Sequence, residues 1–145
     1  MKIIVDADAC PVMNEVVEVA GLHGIQVLMV SDYSHALGYN MSGVTVRNVD
    51  GGMDAVDLCV LNECSAGDVV VTNDIGLASM LLPKGAHVLS PSGRLYDASK
   101  IDDLLERRHF FRILRRAGAR MRGSSKKFTR HDRATFKDTL TRLLS

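Results

Sequence analysis

The side chains of this chain best equipped for chemistry are aspartates, and they fall in three clusters. Asp6 and Asp8 lie in Ile3-Ile4-Val5-Asp6-Ala7-Asp8, and Asp54 and Asp57 in Gly51-Gly52-Met53-Asp54-Ala55-Val56-Asp57. Asp74 closes Val69-Val70-Val71-Thr72-Asn73-Asp74. Carboxylates gathered without a cation repel one another, and each would sooner take up a proton than share a dry site. Where they converge, a hard divalent cation is the usual reason, because Mg²⁺ and Mn²⁺ favour oxygen ligands. The chemistry is then metal-dependent phosphoryl transfer. Asp6, Asp8, Asp54, Asp57 and Asp74 are the candidate ligands of Mg or Mn, with Thr72 and Asn73 placed to orient water or substrate.

The elements that must bring these residues together are legible in the apolar pattern. Residues 2–5, 25–30, 44–49, 68–72 and 86–90 are short, β-branched runs bounded by Gly, Pro, Asp or Asn. Such continuous runs predict strands buried on both faces, as in a parallel sheet. Helical spacing predicts a first helix from Pro11 to about Leu22, capped by Asp8 and burying Val12, Val16, Val19 and Ala20. A second helix is expected over 53–65, and a third over 75–82 that stops at Pro83. Residues 31–43 show no period and read as a long loop. Alternation of this kind predicts an α/β, doubly wound, mainly parallel five-stranded sheet; the order taken for it is 3-2-1-4-5. In that order the ends of the first and fourth strands are neighbours at the reversal, where ligands bind in such sheets. Asp6 and Asp74 would therefore face one crevice, with Asp54 and Asp57 on a shared helical face able to join them.

Plainer roles compete for the same residues. Asp8, Asp54 and Asp74 could each cap a helix, and Asp57 could be solvated on an amphipathic one. Asp6, at the end of an otherwise apolar strand, is the hardest to explain that way. Cys10, Cys59 and Cys64 are odd in number and make no disulfide framework; they read as free thiols in a reducing compartment. Cys10 near a helix start invites a nucleophile, but its acidic company opposes a thiolate. The five histidines show no ligand spacing.

Charge divides the chain. Residues 94–145 carry 15 Lys/Arg against 6 Asp/Glu, a net of +9, while residues 1–93 carry 3 against 11, a net of −8. This predicts a single domain, 1–145, with an acidic α/β core and a basic, mostly helical extension from residue 94. One helix is expected with Ile101, Leu104, Leu105, Phe111 and Leu114 as its apolar stripe and Arg108, Arg112, Arg115 and Arg116 near the opposite face, ending at Gly118. A basic loop over 119–128 follows, then a helix capped by Thr129 that buries Ala134, Phe136, Leu140, Leu143 and Leu144. Cations beside an acidic, cation-requiring site point to a polyanion. Arg115, Arg116, Arg120, Arg122, Lys126 and Lys127 are the candidate contacts to a nucleic-acid backbone, and Tyr33 and Tyr39 are weaker candidates for stacking on a base. Mutual neutralisation of the two parts is the alternative. There is no apolar run long enough to span a membrane and no stretch of signal-peptide character, so a cytoplasmic location is expected. A homo-oligomer is compatible with the sequence.

Three segments together carry a family resemblance: Ile4-Val5-Asp6-Ala7-Asp8-Ala9-Cys10-Pro11, Asp54-Ala55-Val56-Asp57, and residues 67–78 with Thr72-Asn73-Asp74 at their centre. They resemble the YaiI/YqxD family of uncharacterised bacterial proteins, as do Lys84-Gly85-Ala86, Arg115-Arg116 and Phe128-Thr129. That family is in turn similar to PIN-like domains, metal-dependent ribonucleases with acidic residues at strand ends. The resemblance implies a PIN-like domain, the source of the strand order 3-2-1-4-5, and an Mg- or Mn-dependent nuclease acting on RNA. The middle motif departs from the PIN pattern in having aspartates where a glutamate is common. Two rivals stand beside it. One is a nucleic-acid-binding module without turnover. The other is a haloacid-dehalogenase-like phosphatase using Asp6 as nucleophile, for which Cys10-Pro11 and the position of Lys84 fit poorly.

Overall fold

Successive side chains of a strand point to opposite faces, so a run apolar at every position must be covered on both. The computed structural model, which describes residues 1–8, 10–32, 41–51, 53–118 and 127–145, shows this arrangement. Five parallel strands, β1 (Lys2–Asp6), β2 (Gln26–Asp32), β3 (Val44–Val49), β4 (Val69–Val71) and β5 (His87–Leu89), form one sheet in the order β3-β2-β1-β4-β5. This is the expected doubly wound order. It places β1 and β4 side by side at the centre, with Ile3 opposite Val69 and Val5 opposite Val71.

The helices are α1 (Met13–His23), α2 (Met53–Glu63), α3 (Ile75–Leu81), α4 (Ile101–Arg116) and α5 (Arg130–Leu144). Strand parity sorts the core between them. Ile3 and Val5 of β1 and Val69 and Val71 of β4 pack with Val12, Val16 and Val19 beside α1 and with Phe136 and Leu140 of α5. Ile4 and Val70 face the other way, against Val56 and Val60 of α2, Leu77 and Leu81 of α3 and Ile101 of α4. Phe136 is fully buried; truncating such a side chain to Ala costs about 3–5 kcal/mol. α5 begins with a reciprocal cap, in which Thr129 Oγ1 accepts from Asp132 N–H and Asp132 accepts from Thr129 N–H. Close approach of the 90–93 turn to this helix requires Gly93, where φ is +92° and a Cβ would sit 2.7 Å from Thr135.

Several local expectations are corrected. Asp8 does not cap α1: the helix starts at Met13, Val12 is its N-cap without a side-chain bond, and Pro11 lies in the preceding turn. α2 ends at Glu63. α3 ends at Leu81, before Pro83 as expected, and a 3₁₀ turn, Leu82–Lys84, that accommodates Pro83 follows it. β2 runs to Asp32, into the segment expected as loop; residues 33–40 lie outside the described residues, and Tyr33 and Tyr39 with them. Ala134 is exposed, whereas Phe136 and Leu140 are buried and Leu143 and Leu144 pack against the same core.

The largest correction concerns α4. Ile101 is buried and Leu104 and Leu105 pack against the core, but Phe111 is 41% exposed and is no part of the buried stripe. Residues three or four apart share a helical face, so the inward face continues from Leu104 and Leu105 to Arg108. That arginine points at the body of the protein rather than away from it. No helix among the described residues is long and apolar enough to cross a membrane.

Candidate functional site

Parity also aims the site. Asp6 follows Ile4 by two residues, so it leaves β1 on the face covered by α2, α3 and α4, and Thr72 follows Val70 in the same sense. Thr72, 1% exposed, stitches the two strand ends together. Its hydroxyl donates to Asp6 Oδ2 at 2.9 Å and accepts from the Asp74 N–H at 3.0 Å. A hydroxyl has one proton to give, and here it is committed to holding Asp6. Asp74 caps α3, accepting from Leu77 N–H at 3.1 Å. It thus fills the capping role while keeping its carboxylate at the cavity.

Two adjoining cavities expose these groups. One, of about 410 Å³, is lined by Asp6, Asp8, Cys10, Asn73, Asp74 and Arg108 among others. The second, of about 270 Å³, is lined by Asp6, Asp8, Asp54, Asp57, Asp74 and Arg108. All five aspartates anticipated from the sequence therefore border one connected region, with Asp6, Asp8 and Asp74 common to both cavities. Asn73 is exposed at its edge, whereas Thr72 lies beneath it.

The electrostatics are those of like charges crowded together. Burial pushes the Asp6 carboxyl up from 3.8 to about 6 against the opposing Thr72 hydrogen bond, and Asp57, Asp8 and Asp74 push it further the same way. Asp57 is likewise raised, first by burial and then by Asp74 and Asp54, with Arg108 opposing. The Cys10 thiol is buried and lifted to about 11, chiefly by burial, so it is inert as a nucleophile at neutral pH.

Arg108, expected from spacing on the face of α4 opposite its apolar stripe, instead reaches the site. Its Nη1 stands 3.5 Å from Asp74 Oδ1. Gly76 leaves room for the pair, since a Cβ there would meet Arg108 Nη1 at 3.0 Å and Asp74 Oδ1 at 3.2 Å. The signal that could have found it is its position one turn after Leu104 and Leu105, on the buried side of α4.

The basic candidates separate. Arg115 and Arg116, in the last turn of α4, and Lys127 are exposed and form no ion pair among the described residues. Arg120, Arg122 and Lys126 lie outside the described residues. Part of the basic extension does neutralise the acidic body: Arg133 reaches Glu15 at 3.3 Å and Lys137 reaches Glu18 at 2.8 Å.

Oxygen donors of this kind, with one or two carboxylates and water completing the shell, suit Mg²⁺ or Mn²⁺. Among the described residues no three acidic, histidine or cysteine side chains stand close enough to hold an ion unaided.

Fold and site together define a doubly wound parallel α/β protein with an aspartate cluster at the carboxyl edge of its central strands. Residues 4–145 match the family model described as uncharacterized, YaiI/YqxD family, and the chain belongs to that family. It is 38% identical to a UPF0178 protein of Exiguobacterium sibiricum over 145 residues, covering 100% of this chain and 97% of that one. It is 44% identical to a UPF0178 protein of Ruminiclostridium cellulolyticum over 134 residues, covering 92% and 86% respectively. With a UPF0178 protein of Clostridium acetobutylicum it shares 42% identity over 146 residues, covering 99% and 97%. No solved structure matches the chain.

Proposed function

We propose that the chain is a metal-dependent nuclease that hydrolyses phosphodiester bonds of RNA, in the manner of the PIN-like domains its motifs resemble. The observation that carries this reading is Asp6. It is a strand-end carboxylate raised to about 6, among Asp8, Asp57 and Asp74, and open to a cavity. A desolvated carboxylate with named charge neighbours in a cleft is a functional-site candidate.

Asp6 and Asp74, with Asp8, Asp54 and Asp57 around them, would hold Mg²⁺ or Mn²⁺ partly through water. Such an ion supplies Lewis acidity, a water of lowered pKa and neutralisation of charge on the phosphate. The chain's own residues do the rest. Thr72 fixes the Asp6 carboxylate and the Asp74 backbone at a set separation. Asn73, exposed at the cavity edge, is in place to donate to a phosphate oxygen. Arg108, 3.5 Å from Asp74 and bordering both cavities, would offer a guanidinium to the same phosphate. Arg115, Arg116 and Lys127 add positive surface for the polymer backbone.

Capping of α3 by Asp74 is the one observation that favours the rival, a nucleic-acid-binding module without turnover. Against the phosphatase reading, Lys84 lies away from the site and donates to Leu61 O. Incubation of the purified protein with labelled single-stranded RNA, in Mn²⁺ or in EDTA, tests the proposal. Cleavage in Mn²⁺ that disappears in EDTA and in Asp6→Asn is expected. An equal product yield from Asp6→Asn would sink the nuclease, and binding without any product would leave the module.

A further inference from the structure

A third and larger cavity, of about 730 Å³, lies beside α4 and shares no lining residue with the two aspartate cavities. Three cations line it: Arg94 from the segment after β5, Lys100 at the N-cap of α4, and Arg107 on the helix itself. Asp97 and Asp103 line it too, yet none of the three cations forms an ion pair among the described residues. Asp97 instead accepts from the Ser99 N–H at 2.9 Å. Leu95 and Leu104 give the cavity apolar wall.

One turn beyond Arg107, and sharing its side of the helix, stand Phe110 and Phe111. They are 58% and 41% exposed, with ring centroids 6.0 Å apart and planes tilted by 59°. Scattered exposed apolar residues are ordinary. Two adjacent aromatic rings next to a cavity with three cations that form no ion pair among the described residues are not.

We propose that this cavity and the two rings form a binding surface for single-stranded nucleic acid, the cations taking backbone phosphates and Phe110 and Phe111 stacking on unpaired bases. A polyanion answers the cations, and flat bases answer the rings; a duplex, whose bases are already stacked on each other, would satisfy only the first. The surface uses none of Arg115, Arg116 and Lys127. Arg107 lines this cavity while its neighbour Arg108 lines the aspartate cavities, so α4 is the wall between a strand-holding groove and the site. The inference rests on the nucleic-acid part of the reading above and not on turnover.

Fluorescence anisotropy of a labelled single-stranded RNA oligomer, titrated with the full chain in EDTA, tests it without any cleavage. The Arg94→Gln/Lys100→Gln/Arg107→Gln variant should bind at least tenfold more weakly at 0.1 M salt. Its dependence of log affinity on log salt should be shallower by about two, since each phosphate contact on a single strand contributes about 0.7. Phe110→Ser/Phe111→Ser should weaken binding with the salt dependence unchanged. Circular dichroism checks folding, and Arg107→Gln alone serves if the triple change unfolds the chain. Unchanged affinity and salt dependence in the charge variant would overturn the proposal. So would polyphosphate competing as well as RNA, or a chain dimer lost in the phenylalanine variant while RNA affinity stays. RNA binding as described with no cleavage would keep this surface and remove only the nuclease.

Discussion

Two aspartates at opposite ends of the central strands show how differently one protein treats the same side chain. At the amino end, Asp68 is buried and fully answered. Lys2 Nζ lies 2.7 Å away, and the backbone N–H groups of Lys2 and Ser65 donate at 3.1 and 2.9 Å. Burial alone would raise its carboxyl, but the Lys2 and Ser65 hydrogen bonds overcome this and hold it below the usual range. At the carboxyl end, Asp6 receives one hydroxyl and faces three other aspartates, so it rises to about 6. The first carboxylate is solved for stability. The second is left electrostatically unsettled, the condition that makes a carboxylate in a cleft a functional-site candidate.

The largest expected effect comes from Asp6→Asn. It should abolish Mn²⁺-dependent RNA cleavage, a loss of at least a hundredfold in an endpoint assay. In EDTA at neutral pH the same change should stabilise the protein. A pKa near 6 in place of 3.8 costs up to about 3 kcal/mol, reduced to about 1–2 kcal/mol by water at the open edge of the carboxylate. Urea unfolding reads the difference. Destabilisation by Asp6→Asn would break the contrast between the two aspartates.

Asp68→Ala should do the reverse, costing about 3 kcal/mol by stranding Lys2 and the Ser65 amide, with cleavage unaffected at a temperature where the variant is folded.

The pH dependence should also run in opposite directions. Asp6 binds its proton more tightly when folded, so its contribution to metal-free stability is present below about pH 4 and is lost as the pH rises towards 6 and beyond. Asp68 holds its proton less tightly when folded, so its contribution is present above about pH 4 and is lost as the pH falls through its lowered value. Unfolding midpoints in EDTA from pH 3 to 8 should lose the pH 4–6 slope in Asp6→Asn and retain it in Asp68→Ala.

Thr72→Val is a milder probe. It removes the donor to Asp6 and the acceptor of the Asp74 N–H, and should cost about 1–2 kcal/mol while lowering cleavage less than Asp6→Asn does. Arg108→Gln should have the smallest effect on stability, within about 1 kcal/mol, because its partner pair is partly exposed and 3.5 Å long. A drop in cleavage with stability intact would separate its phosphate-binding role from a structural one.

Much of this was readable from residue order. Unbroken β-branched runs require two covered faces, and a chain alternating such runs with helical spacing has few topologies open to it. The order 3-2-1-4-5 brings Asp6 and Asp74 to one edge, as expected. Thr129 with Asp132 is a local cap, settled within four residues. Errors arose where a helix start or face depended on distant packing. Asp8 precedes a helix in sequence, but the chain takes an extra turn through Pro11 before α1 begins. In α4 the apolar periodicity continues through Phe111 and Leu114, yet the body of the protein to pack against ends near Leu105.

The amino-acid sequence by itself therefore determined the parallel, doubly wound sheet and the placing of acidic residues at strand and helix ends, because these follow from side-chain alternation and short connections; the strand order that gathers them is seen in the fold. Tertiary structure alone decided that Thr72 bridges to Asp6 across 66 residues of chain, that Lys2 settles Asp68 at the far edge, and that Arg108 turns inward to Asp74. Periodicity specifies which residues share a face, whereas the surface that a face meets is set by the packing of elements distant in the chain.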